Sequence, residues 1–277
     1  MKDFPQELVD QVIDELFILI ERDDQIRARF ERFWNTSRVP NISDYSLVSR
    51  AWAGPTQKHH FSSLSFDSMR VLERWCTHIA PDPAGLSRHV RKLVLDYFDS
   101  SELEGFENHL RAFTQVECLT VNYCDGVLQL PSVMEWFQLM GSSLVELRIH
   151  DSPVTPHTIA SLLAALPLLQ SVEISNFKNP DKTGEAEDTK KTSPPIPSRI
   201  PFFEGANRFR LRSDYGREYP KGSLDWIPSS ARFAHLEIDM ACSLYHPDLV
   251  NQWLASSRTT LTKLAIREDR DGTSRSK

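Results

Sequence analysis

The pattern apolar-x-x-apolar-x-apolar recurs along most of the chain. It falls at Phe61/Leu64/Phe66, Val90/Leu93/Leu95, Val116/Leu119/Val121 and Leu144/Leu147/Ile149. It continues at Leu169/Val172/Ile174, Ala206/Phe209/Leu211, Phe233/Leu236/Ile238 and Leu261/Leu264/Ile266. The starting positions differ by 29, 26, 28, 25, 37, 27 and 28 residues. Six of these seven intervals lie between 25 and 29, a regularity that unrelated elements would not keep. Each motif alternates apolar with polar residues, which predicts a short strand with one buried face.

Helical spacing fills the intervals. Leu103, Phe106, Leu110 and Phe113 predict one helix, and Val133, Trp136, Phe137 and Met140 a second. A third, opened by Thr155 and Pro156, carries Ile159, Leu162, Leu163 and Leu166. A fourth carries Leu249, Val250, Trp253 and Leu254 behind Pro247 and Asp248. The interval after Ala206 is thin, with Leu224 and Ile227 in what is predicted to be a short or irregular element. The single long interval contains Lys178 to Ile200, a charged stretch with four prolines and little to bury. Such a segment does not offset its own ordering entropy, so 178–200 is predicted to be a disordered insertion.

One strand and one helix per 25 to 29 residues resembles the leucine-rich repeat over about Phe61 to Arg267. The resemblance implies an α/β horseshoe with a parallel sheet on the concave side and helices on the convex side. The Asn or Cys that usually follows each strand in that family is matched at Cys124 alone. A doubly wound α/β sandwich shares the strand–helix alternation but predicts neither a fixed period nor such short strands. After Ile266 the chain reads REDRDGTSRSK, with no helix to cover the last strand. Solenoid ends expose core unless capped, so the expectation is a frayed final repeat or a chain shorter than its relatives.

The first sixty residues follow another pattern. Leu8, Val9, Val12, Ile13, Leu16, Phe17 and Ile20 fall at helical spacing, with Pro5 in the first turn and Asp3 and Gln6 placed for a capping box. The combination FPQELVDQVIDEL … YSLVSRAW … FSSLSF resembles the F-box, in the F-box-like form abundant in mushroom-forming fungi. Pro5, Glu7, Leu8, Ile13 and Leu16 match its first half, and Leu47, Val48, Ser49, Arg50 and Trp52 its second. F-box-like sequences usually join these halves by a short loop. Here residues 18–45 intervene, with Ile26, Phe30, Phe33 and Trp34 forming an apolar stripe on an extra helix around 22–36. The expected organisation is an all-α F-box-like module at 1–60, an array at 61–269 and a polar tail at 270–277.

Composition narrows the function. The chain has 277 residues, 25% of them charged, and a net charge of −6. This mild acidity disfavours general phosphate-backbone binding, so no nucleic-acid partner is expected. The longest apolar stretches, Leu16–Ile20 and Leu162–Leu169, are far too short for a membrane span. The N-terminus MKDFPQELVD shows no secretory signal, and the expected location is cytoplasmic or nuclear. Cys76, Cys118, Cys124 and Cys242 lack CxxC spacing and a neighbouring His, which predicts reduced thiols rather than a metal site.

His59 and His60 read as adjacent residues on opposite faces of an extended segment, poor geometry for one metal. His150-Asp151 sits at a strand end without the upstream His of a metal phosphohydrolase. GxSxG, P-loop and GxGxxG motifs are all missing. No catalytic residue, metal or cofactor is expected. Ser193-Pro194 in the insertion has the form of a proline-directed phosphorylation site.

By resemblance, the chain would be a non-catalytic substrate adaptor of a cullin-type ubiquitin ligase. The F-box-like helices would dock on a Skp-family adaptor through Pro5, Leu8, Ile13, Leu16, Leu47, Val48 and Trp52, and the repeats would hold a protein substrate. The alternative is a free-standing repeat scaffold without a ligase. On the polar face of the strands the middle row is expected to run Val94, Thr120, Arg148, Glu173, Arg210, Glu237, Ala265, with alternating charges over four strands. Arg208, between Ser171 and His235, lacks a carboxylate alongside. Arg212, between Ser175 and Asp239, is only partly matched. These two are the candidate substrate contacts.

Overall fold

The structure, a computed structural model, describes residues 5–16, 50–78, 86–98, 109–124, 127–152, 154–175, 199–205, 207–212, 224, 226–239 and 246–267. The expected helix around 22–36, Leu47, Val48, residues 178–198 of the insertion and the tail at 270–277 lie outside them.

Among the described residues eight strands form one parallel sheet in strictly sequential order. They are β1 (Ser63–Phe66), β2 (Lys92–Asp96), β3 (Cys118–Asn122), β4 (Glu146–His150), β5 (Ser171–Ser175), β6 (Asn207–Arg212), β7 (Phe233–Asp239) and β8 (Lys263–Arg267). Every predicted motif is thus a strand. The register aligns the motifs position by position. Leu64, Leu93, Leu119, Leu147, Val172, Phe209, Leu236 and Leu264 form one line across the sheet. Phe66, Leu95, Val121, Ile149, Ile174, Leu211, Ile238 and Ile266 form the next. A doubly wound sheet reverses its strand order at a switch point; this order never reverses, and that arrangement is excluded.

Six helices are described: α1 (6–16), α2 (Arg50–His60), α3 (Met69–His78), α4 (Pro131–Met140), α5 (Pro156–Ala165) and α6 (Pro247–Ser256). Three of them, α4, α5 and α6, begin with proline, whose fixed φ suits the first turn and whose missing N–H would have had no partner there. In α5 the Thr155 hydroxyl also accepts from the Thr158 N–H at 3.1 Å, a side-chain N-cap. Val133, Trp136, Phe137 and Met140 of α4 and Ile159, Leu162 and Leu163 of α5 are buried in one core with the apolar strand residues of β2 to β7. Of the helix expected from Leu103 onward, only Leu110 and Phe113 fall within the described residues, and both are buried. After β6, Leu224, Trp226 and Ile227 fill the core from turns rather than a regular helix. The helix α3, which the motif spacing did not single out, buries Leu72 and Trp75 behind β1.

Two sequence boundaries move. Ile200, assigned to the insertion, is buried in the core, and Arg199 pairs with Glu204 at 2.6 Å. An isoleucine with a core to enter gains more from burial than from staying in solvent. His59 and His60 are not in an extended segment; they close the last turn of α2. The His59 ring meets the Asp14 carboxylate of α1 at 2.5 Å, tying the two helices together.

Backbone bonds repeat with the sequence period. The Ser62, Arg91, Glu117 and Val145 carbonyls each accept from two successive N–H groups of the following repeat. At the other end of the strands, the N–H groups of Tyr97, Tyr123 and Asp151 donate to the Asn122, His150 and Ser175 carbonyls. These three residues share a left-handed conformation, with φ of 60°, 51° and 48°. The Asn-or-Cys position is filled by Cys124, whose thiol donates to the Asn122 carbonyl at 3.1 Å. One repeat later Ser152 is buried at the equivalent place, accepting from the Cys124 N–H at 3.0 Å and donating to the His150 carbonyl at 2.9 Å. A second small hydrogen-bonding residue thus does the work that a search for Asn or Cys overlooks.

The last repeat is formed but open. In β8 the two positions that face the core elsewhere, Leu264 and Ile266, stay 44% and 49% exposed. Their counterparts in β4, Leu147 and Ile149, are buried to 1% exposure.

Candidate functional site

Two surfaces carry unspent chemistry: one side of α1 and the polar face of the sheet. On α1 the 3.6-residue period splits the apolar residues into two stripes. Val9 and Ile13 are buried, whereas Leu8 and Val12 are 45% and 41% exposed, with Pro5 exposed beside them. The expected docking set therefore divides. Ile13 faces the protein's own interior and is not available to a partner; Leu16 is half-buried. Pro5 and Leu8 are accessible, and Val12, absent from the expected set, joins them. Trp52 belongs to α2, with its side chain outside the described residues.

The polar face of the sheet presents three rows of side chains. Its middle row is the one read from the motifs, with Arg148 opposite Glu173, Glu173 opposite Arg210 and Arg210 opposite Glu237. Arg210 bridges both neighbours, with Nη1 at 2.7 Å from Glu173 Oε2 and Nε at 3.0 Å from Glu237 Oε2. The expected alternation of charge over four strands is present, but the ion pairs across strands in this row join only three of them. Arg148 turns along its own strand to Glu146, at 2.8 Å from Oε1.

Glu173 is also reached by Arg212, from the adjoining row. Its Nη1 lies 3.4 Å from Glu173 Oε1, and its Nη2 donates to Glu237 Oε1 at 2.7 Å. A guanidinium is long enough to reach diagonally between rows, which a neighbour-by-neighbour reading of the strands does not capture. Arg212 is therefore not partly matched but held by two carboxylates, and the candidate contacts narrow to Arg208. Arg267 adds a further contact, 2.7 Å from Glu237 Oε1.

Glu173 and Glu237 have side chains only 8% and 10% exposed. Burial alone would raise the Glu237 pKa, but the Arg212 hydrogen bond and the charges of Arg212, Arg210 and Arg267 outweigh it and hold the carboxyl below its ordinary value.

Arg208 stands apart from this cluster. It is exposed, its row neighbours are Ser171 and His235, and its Nε donates to His235 Nδ1 at 3.3 Å. Beyond His235 the same row continues to Lys263. Arg208 meets His235 in the register that aligns Phe209 with Leu236; one residue earlier the strands bulge, so that Asn207 pairs with Phe233 and Ala234 is skipped. Lys263 was legible in principle, since it precedes Leu264 as Arg208 precedes Phe209.

At the strand ends, Tyr97 and Tyr123 are exposed and stack face to face, with ring centroids 4.8 Å apart and planes within 2°. Bulky residues rarely adopt the left-handed φ that both carry.

The remaining groups give no catalytic arrangement among the described residues. Cys76 and Cys124 are pushed up to about 12 and about 11 by burial, and Cys118 is raised by burial and by Glu146. These thiols are poor nucleophiles. The His150 ring is engaged by the Ser175 hydroxyl. No three His, Cys, Asp or Glu side chains among the described residues are grouped to hold a metal ion. No described helix is long and apolar enough to cross a membrane. No protein-family model, no curated protein and no solved structure matches this chain.

Proposed function

We propose that this protein is a non-catalytic substrate adaptor: an F-box-like helical module recruits a Skp-family adaptor of a cullin-type ubiquitin ligase, and a leucine-rich-repeat horseshoe holds the substrate. The observation that carries the reading is the pair of stripes on α1. A helix serving only its own module would bury its apolar residues on one side, as Val9 and Ile13 are. The second stripe, Pro5, Leu8 and Val12, leaves apolar area in water at the position where the F-box resemblance expects a partner. The sequential parallel sheet supports the horseshoe half, because strands stacked in chain order with helices between them form a solenoid. The ligase's catalytic partners would perform the bond-making chemistry, and this chain would contribute proximity.

The test uses the full chain and purified Skp adaptor in a pull-down followed by calorimetry. Binding is expected at about 10 μM or tighter. Each exposed apolar side chain buried against a partner contributes about 1.5–3 kcal/mol, so Leu8→Asp with Val12→Asp should weaken binding by about 100-fold or more. Lack of binding by the unmodified chain, or binding indifferent to that double substitution, would leave the free-standing protein-binding scaffold as the function.

A further inference from the structure

Arg208, His235 and Lys263 occupy consecutive strands in one row, near where β6 and β8 begin. With strands about 4.8 Å apart, the row spans about 10 Å. Among the described residues neither Arg208 nor Lys263 has a carboxylate partner, although Glu173, Glu237, Arg210, Arg212 and Arg267 stand in the adjoining rows. Those five satisfy one another: the oxygens of Glu173 and Glu237 are taken up by Arg210, Arg212 and Arg267. A hollow of about 110 Å³ opens over this place, lined by Arg208, Arg210, His235, Glu237, Lys263 and Ala265.

We propose that the row Arg208–His235–Lys263 is a docking site for an anionic stretch of polypeptide, whose phosphoryl or carboxylate oxygens sit between Arg208 and Lys263. The chemistry is specific in three respects. Arg208 spends its Nε on His235 Nδ1, so its two terminal nitrogens remain available to fork onto an oxyanion. Accepting at Nδ1 places the neutral ring's proton on Nε2, so His235 can supply another donor. Lys263 closes the row as an exposed point charge. Glu237 lines the hollow without opposing an anion strongly, because three guanidinium groups already surround it.

A polypeptide fits better than a nucleic acid. The row is three residues long and sits on a chain of net charge −6, whereas a phosphate backbone requires an extended basic track. The inference rests on reading this sheet face as the substrate surface and is independent of the Skp-adaptor half.

The experiment is fluorescence anisotropy on the full chain with two labelled probes built on one Gly/Ser peptide. One carries a single phosphoserine, the other two glutamates at that place, and the unmodified peptide is the blank. At least one anionic probe should bind above the blank; which one binds identifies the oxyanion as phosphoryl or carboxylate. Arg208→Ala with Lys263→Ala should weaken that binding about tenfold or more, while Arg111→Ala, a basic change elsewhere on the surface, should not. Both altered residues are exposed, so folding should survive; Arg208→Gln with Lys263→Gln serves as a second pair checked by circular dichroism.

The adaptor half is separable. The Leu8/Val12 variant should retain peptide binding, and the Arg208/Lys263 variant should retain Skp-adaptor binding. The proposal is overturned if neither anionic probe exceeds the blank, if folded double variants bind like the unmodified chain, or if an oligouridylate binds more tightly than both peptides.

Discussion

Across β2, β3 and β4 the middle row of the sheet's polar face holds Val94, Thr120 and Arg148; across β5, β6 and β7 it holds Glu173, Arg210 and Glu237. The backbones beneath are parallel and, apart from the bulge between β6 and β7, in the same register. The first half satisfies itself locally: Arg148 bonds within its strand, Asn122 donates to Asp96 across one strand gap, and two tyrosines stack at the rim. The second half is one connected network in which three arginines share two nearly buried glutamates. A repeat backbone thus sets where side chains stand, and the charge sequence decides whether a surface is a set of independent pairs or a cooperative cluster.

The largest effect should come from breaking the network at its centre. Arg210→Glu would remove the bridge and place a third carboxylate beside two that are nearly buried. Leaving buried charge unpaired costs about 3–5 kcal/mol, which for a chain of this size lowers the Tm by roughly 10 °C. Thr120→Ala, in the same row three strands away, should cost about 1 kcal/mol or less. Thermal melts of the two variants that agree within a degree would remove the distinction between the halves.

Acid should sharpen the comparison. The folded-state pKa of Glu237 is depressed, so its stabilising contribution is present above the unfolded carboxylate value and is lost as pH falls through the depressed folded value. The Tm of the unmodified chain should therefore fall on acidification through this window. Glu237→Gln should be less stable at neutral pH, and its deficit should shrink as the pH is lowered. A deficit that stays constant from neutral pH through the acid window would mean that the arginines around Glu237 do not depress its titration.

The smallest effect lies at the rim of the first half. Tyr97→Asn would relieve a left-handed strain of about 1 kcal/mol and forfeit a stacking contact of about 0.5–1.5 kcal/mol. The two nearly cancel, and the Tm should move by no more than a few degrees. Tyr97→Val should be worse than Tyr97→Asn, because a β-branched residue loses the stack and keeps the strain. Equal melting temperatures for the two would show that the backbone relaxes rather than storing strain there.

Much of this could be read from residue order because both signals involved are local. The spacing of Leu93/Leu95, Leu119/Val121 and their equivalents determined where strands form, which side is buried and which residues stand opposite one another. A strand has only two faces, and a constant period leaves one way to stack them. Helix starts at Pro156 and Pro247 were legible for the same reason. Three features were decided only by the tertiary structure. Arg212 reaches diagonally to Glu173 and Glu237 because guanidinium reach exceeds the row spacing, a distance that no one-dimensional pattern contains. The period of α1 separates Val9 and Ile13 from Leu8 and Val12, but which of the two stripes is buried depends on what packs against the helix. The bulge between β6 and β7, which pairs Asn207 with Phe233 and skips Ala234, answers to the backbone geometry of two strands at once, a condition that neither strand's sequence imposes alone.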